Sequence, residues 1–466
     1  MLRLFRQYYP IRNLFFILGE GAVIFSAILV AYDMFKVCHL CNPDNAIFLK
    51  ALLITLIFQV FLYYNDLYDL QVTDTFIELA IRLFQSLGAA AIFFGLIALI
   101  FPKILIGEWI FLLGLILVLL LIVSWRFGYA SILNLGIFNQ KIALLGSGEL
   151  AGKILKEISR KKDCGYAVSV LVQDCQPNAD FEQYKSGCAI CKKDYDELCE
   201  TAAELKVKKV VVALGERRGT FPAAELLKCR MEGIQVLDGN SFYEMLSGKL
   251  MVRHTNPGWL IYSEGFNRSW MQHFLKRLAD LLIASLMLVL CLPLMLLVAL
   301  LIKIDDPSGP VIFSQDRVGQ RKKPYRVHKF RSMVNRAEEK TGPVWAAADD
   351  MRVTRVGKVI RKLRIDEIPQ LWNVLKGEMS FVGPRPEREF FVKQLEKAIP
   401  YYAERFTVKP GVTGWAQVSY GYGASVEDAI EKLNYDLFYI KNMSIFMDLM
   451  IVLKTIKIVV FQRGAR

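Results

Sequence analysis

The first 126 residues contain four long runs of apolar side chains separated by short polar segments. The runs cover roughly 14–32, 46–64, 83–101 and 109–125. Each is close to the length of about 20 residues that a helix needs to cross a bilayer. The first run could be a signal sequence, but three more follow it and no small-residue cleavage site is evident. The pattern therefore predicts a bundle of four transmembrane helices in residues 1–130.

Basic residues flank this bundle at both ends. Arg3, Arg6 and Arg12 precede the first run, and Arg126 and Lys141 follow the fourth. Because positively charged flanks stay on the cytoplasmic side of a membrane, both ends of the bundle are predicted to be cytoplasmic. An even number of crossings agrees with this orientation.

After the fourth run the pattern changes to short buried strands that alternate with helices, as in a soluble α/β unit. In KIALLGSGELAGKILKEI a strand, a glycine turn and a helix place Gly146 and Gly148 where a dinucleotide-binding fingerprint has its glycines. A second strand at 168–172 is followed by Asp174, near the position of a ribose-binding acid. The predicted Rossmann-like domain, 139–250, covers about half of a full dinucleotide fold. A nucleotide-free or regulatory domain is therefore favoured over one that binds a cofactor.

A fifth apolar run, LLIASLMLVLCLPLMLLVALLI, is 22 residues long and carries no charge. Lys276 and Arg277 precede it and Lys303 follows it, so positive charge holds both ends on one side of the membrane. Pro293 stands near its middle, where proline removes a backbone hydrogen bond and bends a helix. We therefore expect a broken, re-entrant helix at 278–302 that enters the cytoplasmic leaflet and returns. The alternative is a straight crossing, which would place the following residues outside the cell.

Composition supports a membrane protein with a basic part that faces its partners. Hydrophobic residues make up 54% of the chain, charged residues 22%, and the net charge is +13. Anionic lipid, a nucleotide or nucleic acid could each be the partner. The nine cysteines show no dense framework of the secreted kind. The CxxC pairs Cys38/Cys41 and Cys188/Cys191 each lack the second ligand pair of a zinc site, which disfavours metal binding there.

Two basic clusters follow the fifth apolar run. Residues 303–331 contain eight Lys or Arg against three Asp, and residues 352–364 contain six Lys or Arg and no acid. In the second cluster Val356, Val359 and Leu363 recur at helical spacing, which predicts an amphipathic helix with one basic face. Such a face can be solvated or can lie on anionic lipid. Here it leads directly into an acidic pair.

The acidic pair, Asp366 and Glu367, precedes a short predicted helix that has Pro369 in its first turn and Gly377 as its stop. The dipole and the free N–H groups at a helix entrance stabilise a carboxylate or a bound phosphate, so we expect Asp366 to stay ionised. Adjacent carboxylates among arginines also suit one Mg²⁺ that shares phosphate oxygens. A structural ion-pair cluster is the alternative, since acidic dipeptides recur in this chain.

Several motifs together carry a family resemblance over residues 273–466: KRLADLL, GPVIFSQDRVG, KFRSM, RIDEIPQLWNVLKGEMSFVGPRPE, KPGVTGWAQV and YDLFYIKNMS. This part resembles the bacterial sugar transferases of the monotopic polyprenyl-phosphate phosphoglycosyl transferase family. The four runs and the α/β domain resemble the long members that start exopolysaccharide or O-antigen synthesis. The resemblance implies a mainly α-helical monotopic catalytic domain with a re-entrant membrane helix.

The resemblance also implies a reaction and its residues. A sugar-1-phosphate passes from a UDP-sugar to undecaprenyl phosphate with Mg²⁺, through a phosphosugar-aspartate intermediate and with release of UMP. Asp366 would be the nucleophile and Glu367 the Mg²⁺ ligand. The candidates for substrate binding are Arg361, Arg385, Lys329 and Arg331. For the last two, contact with the lipid surface is the alternative.

The same resemblance places the protein in the bacterial inner membrane, with the catalytic domain on the cytoplasmic face. The expected partners are the UDP-sugar, undecaprenyl phosphate, the bilayer and a second copy in a homodimer, and no nucleic acid. The C-terminal FMDLMIVLKTIKIVVF is expected to lie in the membrane interface, with a buried core helix as the alternative. The identity of the sugar stays open.

Two other functions are compatible with parts of the pattern. A membrane-bound NAD-dependent nucleotide-sugar dehydratase or epimerase would need a Tyr-x-x-x-Lys pair in its dinucleotide domain. Here that spacing occurs from Tyr325 to Lys329, outside the α/β domain. A non-catalytic membrane scaffold that gathers polysaccharide machinery is the other alternative.

Overall fold

The computed structural model describes the chain except at residues 1, 5–6, 10, 40–43, 69–75, 135–138, 162–163, 173–189, 193–197, 215–220, 255–256, 264, 267–268, 336, 338–349, 422, 424 and 462–466. Contacts divide the chain into two compact units, whose main parts are Tyr8–Gly239 and Asn240–Arg466. The predicted acid Asp174 and members of both CxxC pairs, Cys41 and Cys188, lie outside the described residues.

Two short strands, β1 (Leu2–Leu4) and β2 (Gln7–Tyr9), precede the helical part of the first unit. Its long apolar helices are α1 (Ile11–Val37), α2 (Ile47–Tyr64), α3 (Phe76–Ile100) and α4 (Glu108–Asn134). Each buries one face and exposes large apolar side chains on the other, such as Leu49 and Phe84. Apolar residues on all sides are typical of helices whose solvent is lipid. The prediction of four N-terminal apolar helices in a membrane protein is confirmed.

A buried ion pair links the first and fourth helices of this bundle. An Nη atom of Arg126 lies 2.7 Å from a carboxylate oxygen of Glu20, whose side chain is completely buried. Arg126 also donates to the backbone carbonyl of Leu67 at 2.8 Å. Charges within membrane-spanning segments are costly unless they are paired, so this contact specifies how the two helices face each other.

The second part of the first unit is a parallel five-stranded sheet with the order β5-β4-β3-β6-β7. The strands are β3 (Gln140–Leu145), β4 (Tyr166–Val172), β5 (Ile190–Lys192), β6 (Lys209–Val212) and β7 (Gln235–Asp238). The helices that accompany it are α5 (Glu149–Arg160), α6 (Leu198–Glu204) and α7 (Ala223–Met231). The strand order reverses direction at β3, which confirms the predicted Rossmann-like architecture.

The predicted glycine turn connects β3 to α5. Gly146 has a φ of +119°, and a Cβ at this position would lie 2.4 Å from the carbonyl oxygen of Ala213, so no other residue fits. Gly148 is the N-cap of α5. Glu149 then puts a negative charge in the first turn of the helix, where a dinucleotide phosphate would lie. Lys153 of the same helix pairs with Glu149 at 2.6 Å, and the absence of a nucleotide from this domain stays a prediction.

The main part of the second unit begins at Asn240, the second residue of α8 (Gly239–Ser247). Its other helices are α9 (Pro257–Tyr262), α10 (Trp270–Asp305), α11 (Arg355–Lys362), α12 (Gln370–Lys376), α13 (Glu389–Ala398), α14 (Trp415–Ser419), α15 (Val426–Asn442) and α16 (Ile445–Val460). Its strands form an antiparallel hairpin, β8 (Ile312–Val318) with β9 (Pro324–Phe330), and a parallel pair, β10 (Ser380–Val382) with β11 (Gly411–Thr413).

The predicted end of the α/β domain at residue 250 differs from this division. Residues 240–250 pack within the second unit because they carry charges that pair with α15. Lys441 Nζ donates to Glu244 at 2.7 Å, and Lys249 donates to Glu431. Both Lys441 and Glu244 are buried, so the contact is part of the interior of the second unit.

The long helix α10 runs without interruption through Pro293 for 36 residues. The helix therefore does not end at Pro293, and its re-entrant path stays a prediction. The rest of the protein buries only 11% of its most apolar stretch. A straight helix of this length would extend about 54 Å, far beyond a hydrocarbon core of about 30 Å.

Both ends of α10 nevertheless bind the same domain. Near its start, Arg277 donates to the carbonyls of Val374 and Leu375 at 2.7 and 2.8 Å. At its end, the carboxylate of Asp305 accepts from the backbone N–H of Val356 at 3.1 Å. Contacts of this kind at both ends favour a helix that does not separate its ends by a membrane.

The C-terminal helix α16 combines the two predicted arrangements. Met447 and Ile451 are completely buried in the main core of the second unit. Leu449 and Val460 expose more than half of their surface. One face of α16 therefore packs in the domain, and the other is apolar and exposed, as in a helix that lies in a membrane interface.

Candidate active site

The acidic pair occupies a tight turn between two helices. Thr354 is the N-cap of α11, and its hydroxyl accepts from the N–H of Gly357 at 2.9 Å. After α11, Arg364 has a left-handed conformation with φ of 53°, and a single 3₁₀ turn holds Asp366 and Glu367. α12 follows and ends at Gly377, whose φ is 86°. The predicted helices on both sides of the pair and the glycine stop are confirmed.

Glu367 is held by two cations. Lys329 Nζ and Arg385 Nη2 both donate to its Oε1, at 2.8 and 2.9 Å. Burial alone would raise the pKa of Glu367, but the charges of Arg385 and Lys329 outweigh it and lower that pKa well below its usual range. Glu367 is therefore ionised at neutral pH and fixed in place.

Asp366 differs from its neighbour. Its carboxylate faces a cavity, and no hydrogen bond or ion pair joins it to another residue that the structure describes. Burial raises the pKa of Asp366 to about 6, the charge of Glu367 adds to the rise, and Lys329 opposes it. Loss of solvation is a larger effect on this pKa than the nearby positive charges. At neutral pH the carboxylate form still predominates.

The cavity in front of Asp366 has a volume of about 600 Å³, in the range of small-molecule sites. Among the described residues, ten basic side chains line it: Arg317, Lys329, Arg331, Arg352, Arg361, Arg364, Arg385, Arg388, Arg405 and Lys432. Three acids from the same described set join them: Asp366, Glu387 and Asp436. So many fixed cations suit a ligand with several negative charges, and arginine forks suit phosphate in particular.

A buried ion pair supports Arg385. Arg405 donates to the backbone carbonyl of Arg385 at 3.0 Å, to Asp436 at 2.9 Å and to the hydroxyl of Tyr402 at 2.6 Å. The Arg405 and Asp436 side chains are only 7% and 2% exposed. No sequence motif predicts a role for Arg405 or Tyr402. Asp436 stands in one of the quoted motifs, but nothing in the sequence pairs it with Arg405.

The other predicted site residues have different roles. Arg361 lines the cavity, and its charge opposes the rise in the pKa of Asp366 that burial causes. Lys329 is bonded to Glu367, which places it at the acidic pair rather than at a lipid surface. Arg331 also lines the cavity, but it donates to the backbone carbonyl of Asp306 just after α10. Pro293, Gly146 and Gly148 do not line this cavity.

The donor set for Mg²⁺ is small. Among the described residues, no group of three or more His, Cys, Asp or Glu side chains could hold a metal ion. The adjacent carboxylates of Asp366 and Glu367 remain. Mg²⁺ in phosphate-binding sites takes one or two carboxylates and completes its shell with water and substrate oxygens, so the pair fits an ion that arrives with a diphosphate.

Comparisons with known proteins find two families and several relatives of this chain. Residues 271–462 match the family described as bacterial sugar transferase, and residues 64–220 match a family described as CoA-binding domain. A UDP-glucose:undecaprenyl-phosphate glucose-1-phosphate transferase of Escherichia coli (strain K12) is 32% identical over 339 residues, which are 71% of this chain and 70% of the relative.

Two further relatives are similar over shorter stretches. A UDP-N-acetylgalactosamine-undecaprenyl-phosphate N-acetylgalactosaminephosphotransferase of Aeromonas hydrophila is 46% identical over 241 residues, 52% of this chain and 56% of the relative. An undecaprenyl-phosphate glucose phosphotransferase of Komagataeibacter xylinus is 43% identical over 195 residues, 41% of this chain and 36% of the relative. The chain thus matches about half or less of the length of these two relatives.

Proposed function

The chain belongs to the bacterial sugar transferase family, and on this basis we propose that it transfers a sugar-1-phosphate from a UDP-sugar to undecaprenyl phosphate. The observation that carries the proposal is the carboxylate of Asp366, which is buried and faces a cavity lined by many basic side chains. The names of the relatives supply the substrates, and the cavity supplies a nucleophile in a setting that suits a diphosphate.

In the first step, a carboxylate oxygen of Asp366 attacks the sugar-bearing phosphorus of the diphosphate. The bond from this phosphorus to the bridging oxygen breaks, and UMP leaves with the electron pair. The product is a phosphosugar-aspartyl intermediate. In the second step, a phosphate oxygen of undecaprenyl phosphate attacks the same phosphorus, the bond to Asp366 breaks, and the free carboxylate is restored.

The other residues of the site supply fixed positive charge, the main requirement of phosphoryl transfer. Arg361 and Arg385 are the proposed phosphate contacts. Glu367, itself held by Lys329 and Arg385, fixes these cations beside the nucleophile. Together with Asp366 it would hold Mg²⁺, which when bound would neutralise part of the diphosphate charge.

The membrane arrangement brings the lipid substrate to the site. We infer that α10 is a re-entrant helix at the cytoplasmic face of the inner membrane. Its bonded ends, at Arg277 and Asp305, support this inference. A lipid phosphate would then reach Asp366 without leaving the membrane. We further propose a place at the first membrane step of exopolysaccharide or O-antigen synthesis, and a homodimeric assembly.

The test is release of UMP by the purified full chain. UDP-glucose and UDP-N-acetylgalactosamine, the two donors that the names of the relatives suggest, are supplied with undecaprenyl phosphate. We expect release with one of them and its loss in Asp366→Asn. The matched control is Asp316→Asn, because the side chain of Asp316 is 74% exposed on β8. This variant should keep the activity.

The rival functions give other results. A non-catalytic scaffold would release no UMP from any UDP-sugar. A dehydratase or epimerase would bring NAD with it on purification and would convert the sugar without an acceptor lipid. Substantial UMP release by Asp366→Asn would contradict the role proposed for this carboxylate.

A further inference from the structure

A second group of basic side chains lies where the start of α10 packs on α12. Lys276 donates to Asp448 at 2.7 Å, and Arg277 binds the last carbonyls of α12. Lys409, just before β11, is half-buried, and its Nζ makes no hydrogen bond or ion pair with any residue in the described part of the chain. None of the three lines the cavity of Asp366.

Two of these cationic groups converge beside Gly377. A Cβ built on Gly377 would lie 3.3 Å from Arg277 Nη2 and 3.6 Å from Lys409 Nζ. Gly377 has a φ of +86°, which favours glycine, so no side chain occupies the space between the two cations. A single tetrahedral phosphate is large enough to contact both.

The local charges leave room for an anion. Lys276 is paired with Asp448, and Asp280 accepts from the hydroxyl of Ser380 at 3.1 Å and from the N–H of Phe381 at 2.9 Å. Burial lowers the pKa of Lys409, the charge of Arg277 adds to this, and Asp280 opposes it. A bound anion would compensate a positive charge that the neighbouring acids compensate only in part.

The surroundings of this cluster are those of a membrane interface. Trp270, Phe274 and Leu278 form an exposed apolar stripe on α10 that ends beside Arg277. On α12, Trp372 is 52% exposed, and Lys376 lies over its ring. Exposed tryptophan with lysine and arginine is typical of the headgroup region of a bilayer. The phosphate within reach there is that of a lipid.

We propose that Arg277 and Lys409, on either side of Gly377, bind the phosphate of an anionic phospholipid headgroup at a site separate from the cavity of Asp366. The site would fasten the start of α10 to the membrane surface. It does not depend on the transfer reaction, so its failure would leave the function proposed for Asp366 untouched.

The test measures retention of phosphatidylglycerol by the full chain. The protein is reconstituted in nanodiscs of phosphatidylcholine with increasing phosphatidylglycerol, and retained lipid is counted by native mass spectrometry. Lys409→Gln should bind phosphatidylglycerol about fivefold more weakly than the wild type, the effect of one basic residue near a membrane surface. Lys409→Arg should retain the lipid. The matched control is Lys376→Gln, because this lysine lies one residue from Gly377 and is exposed.

Three outcomes would overturn the proposal. Lys409→Gln could retain as much phosphatidylglycerol as the wild type. Lys409→Gln and Lys376→Gln could lose it equally, which would mean general attraction to an anionic surface. For the third outcome, inorganic phosphate is added to protein in nanodiscs of phosphatidylcholine alone. If phosphate protects the wild type against heat as strongly as phosphatidylglycerol does, and does not protect Lys409→Gln, the site binds soluble phosphate rather than a lipid.

Discussion

Asp366 and Glu367 are neighbours in sequence and both are buried, yet their surroundings give them different properties. Glu367 is bonded to Lys329 and Arg385, so its charge is compensated. The charges of Lys329 and Arg385 also act on Asp366, but neither cation is bonded to its carboxylate, which faces the cavity. A carboxylate that is already bonded to two cations is a poor nucleophile, whereas one that is poorly solvated and unbonded is a better one. The assignment of roles within the pair follows from this difference.

The raised pKa of Asp366 predicts the pH dependence of transfer. The nucleophile must be ionised, so kcat/KM for the UDP-sugar should be constant above pH 7 and fall as the pH drops through about 6. Lys329→Gln removes the charge that most opposes the effect of burial, and should move the midpoint to higher pH. A pH profile of UMP release checks both expectations. A midpoint that Lys329→Gln leaves unchanged would contradict this origin of the pKa.

Arg405 is predicted to position Arg385. Lysine in its place keeps the charge but loses the planar fork that donates to three acceptors at once. We expect Arg405→Lys to lower kcat/KM at least about tenfold, a loss of about 1.4 kcal/mol of transition-state stabilisation. Steady-state kinetics on folded, membrane-inserted protein provides the measurement.

The control for this change is Arg326→Lys, because the Arg326 side chain is 70% exposed on β9. It should leave kcat/KM unaltered. If folded Arg405→Lys matched the wild type as closely, the carbonyl of Arg385 would not need this donor.

At the scale of elements, the helices and strands were predicted well where periodicity is strong. The four apolar helices, β3, the glycine turn at Gly146 and the helix after Pro369 all follow from local pattern. Local pattern gives no guidance where residues pack against partners distant in sequence. Glu244 belongs to the second unit because Lys441 binds it, and no local signal reveals that pair. α10 is helical on both sides of Pro293, and the local pattern around this proline does not by itself give the path of the helix.

The re-entrant path of α10 predicts where residues next to it can be labelled. In a cysteine-free background, Met271→Cys and Ser308→Cys place single thiols at exposed positions at the two ends of the helix. Neither should react with a membrane-impermeant maleimide in intact cells, and both should react after permeabilisation. Lys103→Cys, between α3 and α4, is the control and should react in intact cells. Reaction of Ser308→Cys from outside would mean that α10 crosses the membrane.

At the scale of the whole molecule, the motifs of the second unit predicted some residues of the cavity but not the elements that surround them. The quoted segments identified Asp366, Glu367, Arg361 and Arg385, and the structure brings all four to one cavity or its edge. The remaining cations of the cavity come from β8, β9 and α15 as well. These elements meet only in the folded chain. The sequence alone therefore does not show which of its many arginines share one site.

The proposed two-step path suits a protein with one soluble and one membrane-bound substrate. A single carboxylate can receive the phosphosugar from the nucleotide and then pass it to the lipid, so the two substrates need not occupy the cavity together. The cationic lining would serve both phosphates in turn. Because the two substrates can then bind one after the other, we expect a covalent intermediate rather than direct transfer.

Mass spectrometry of the full chain incubated with its UDP-sugar and no lipid acceptor tests this claim most directly. We predict a burst of UMP close to one per protein, and a peptide containing Asp366 that gains the mass of one phosphosugar and loses it again when undecaprenyl phosphate is added. An unmodified Asp366 peptide, together with UMP release that begins only after the acceptor is present, would contradict the account.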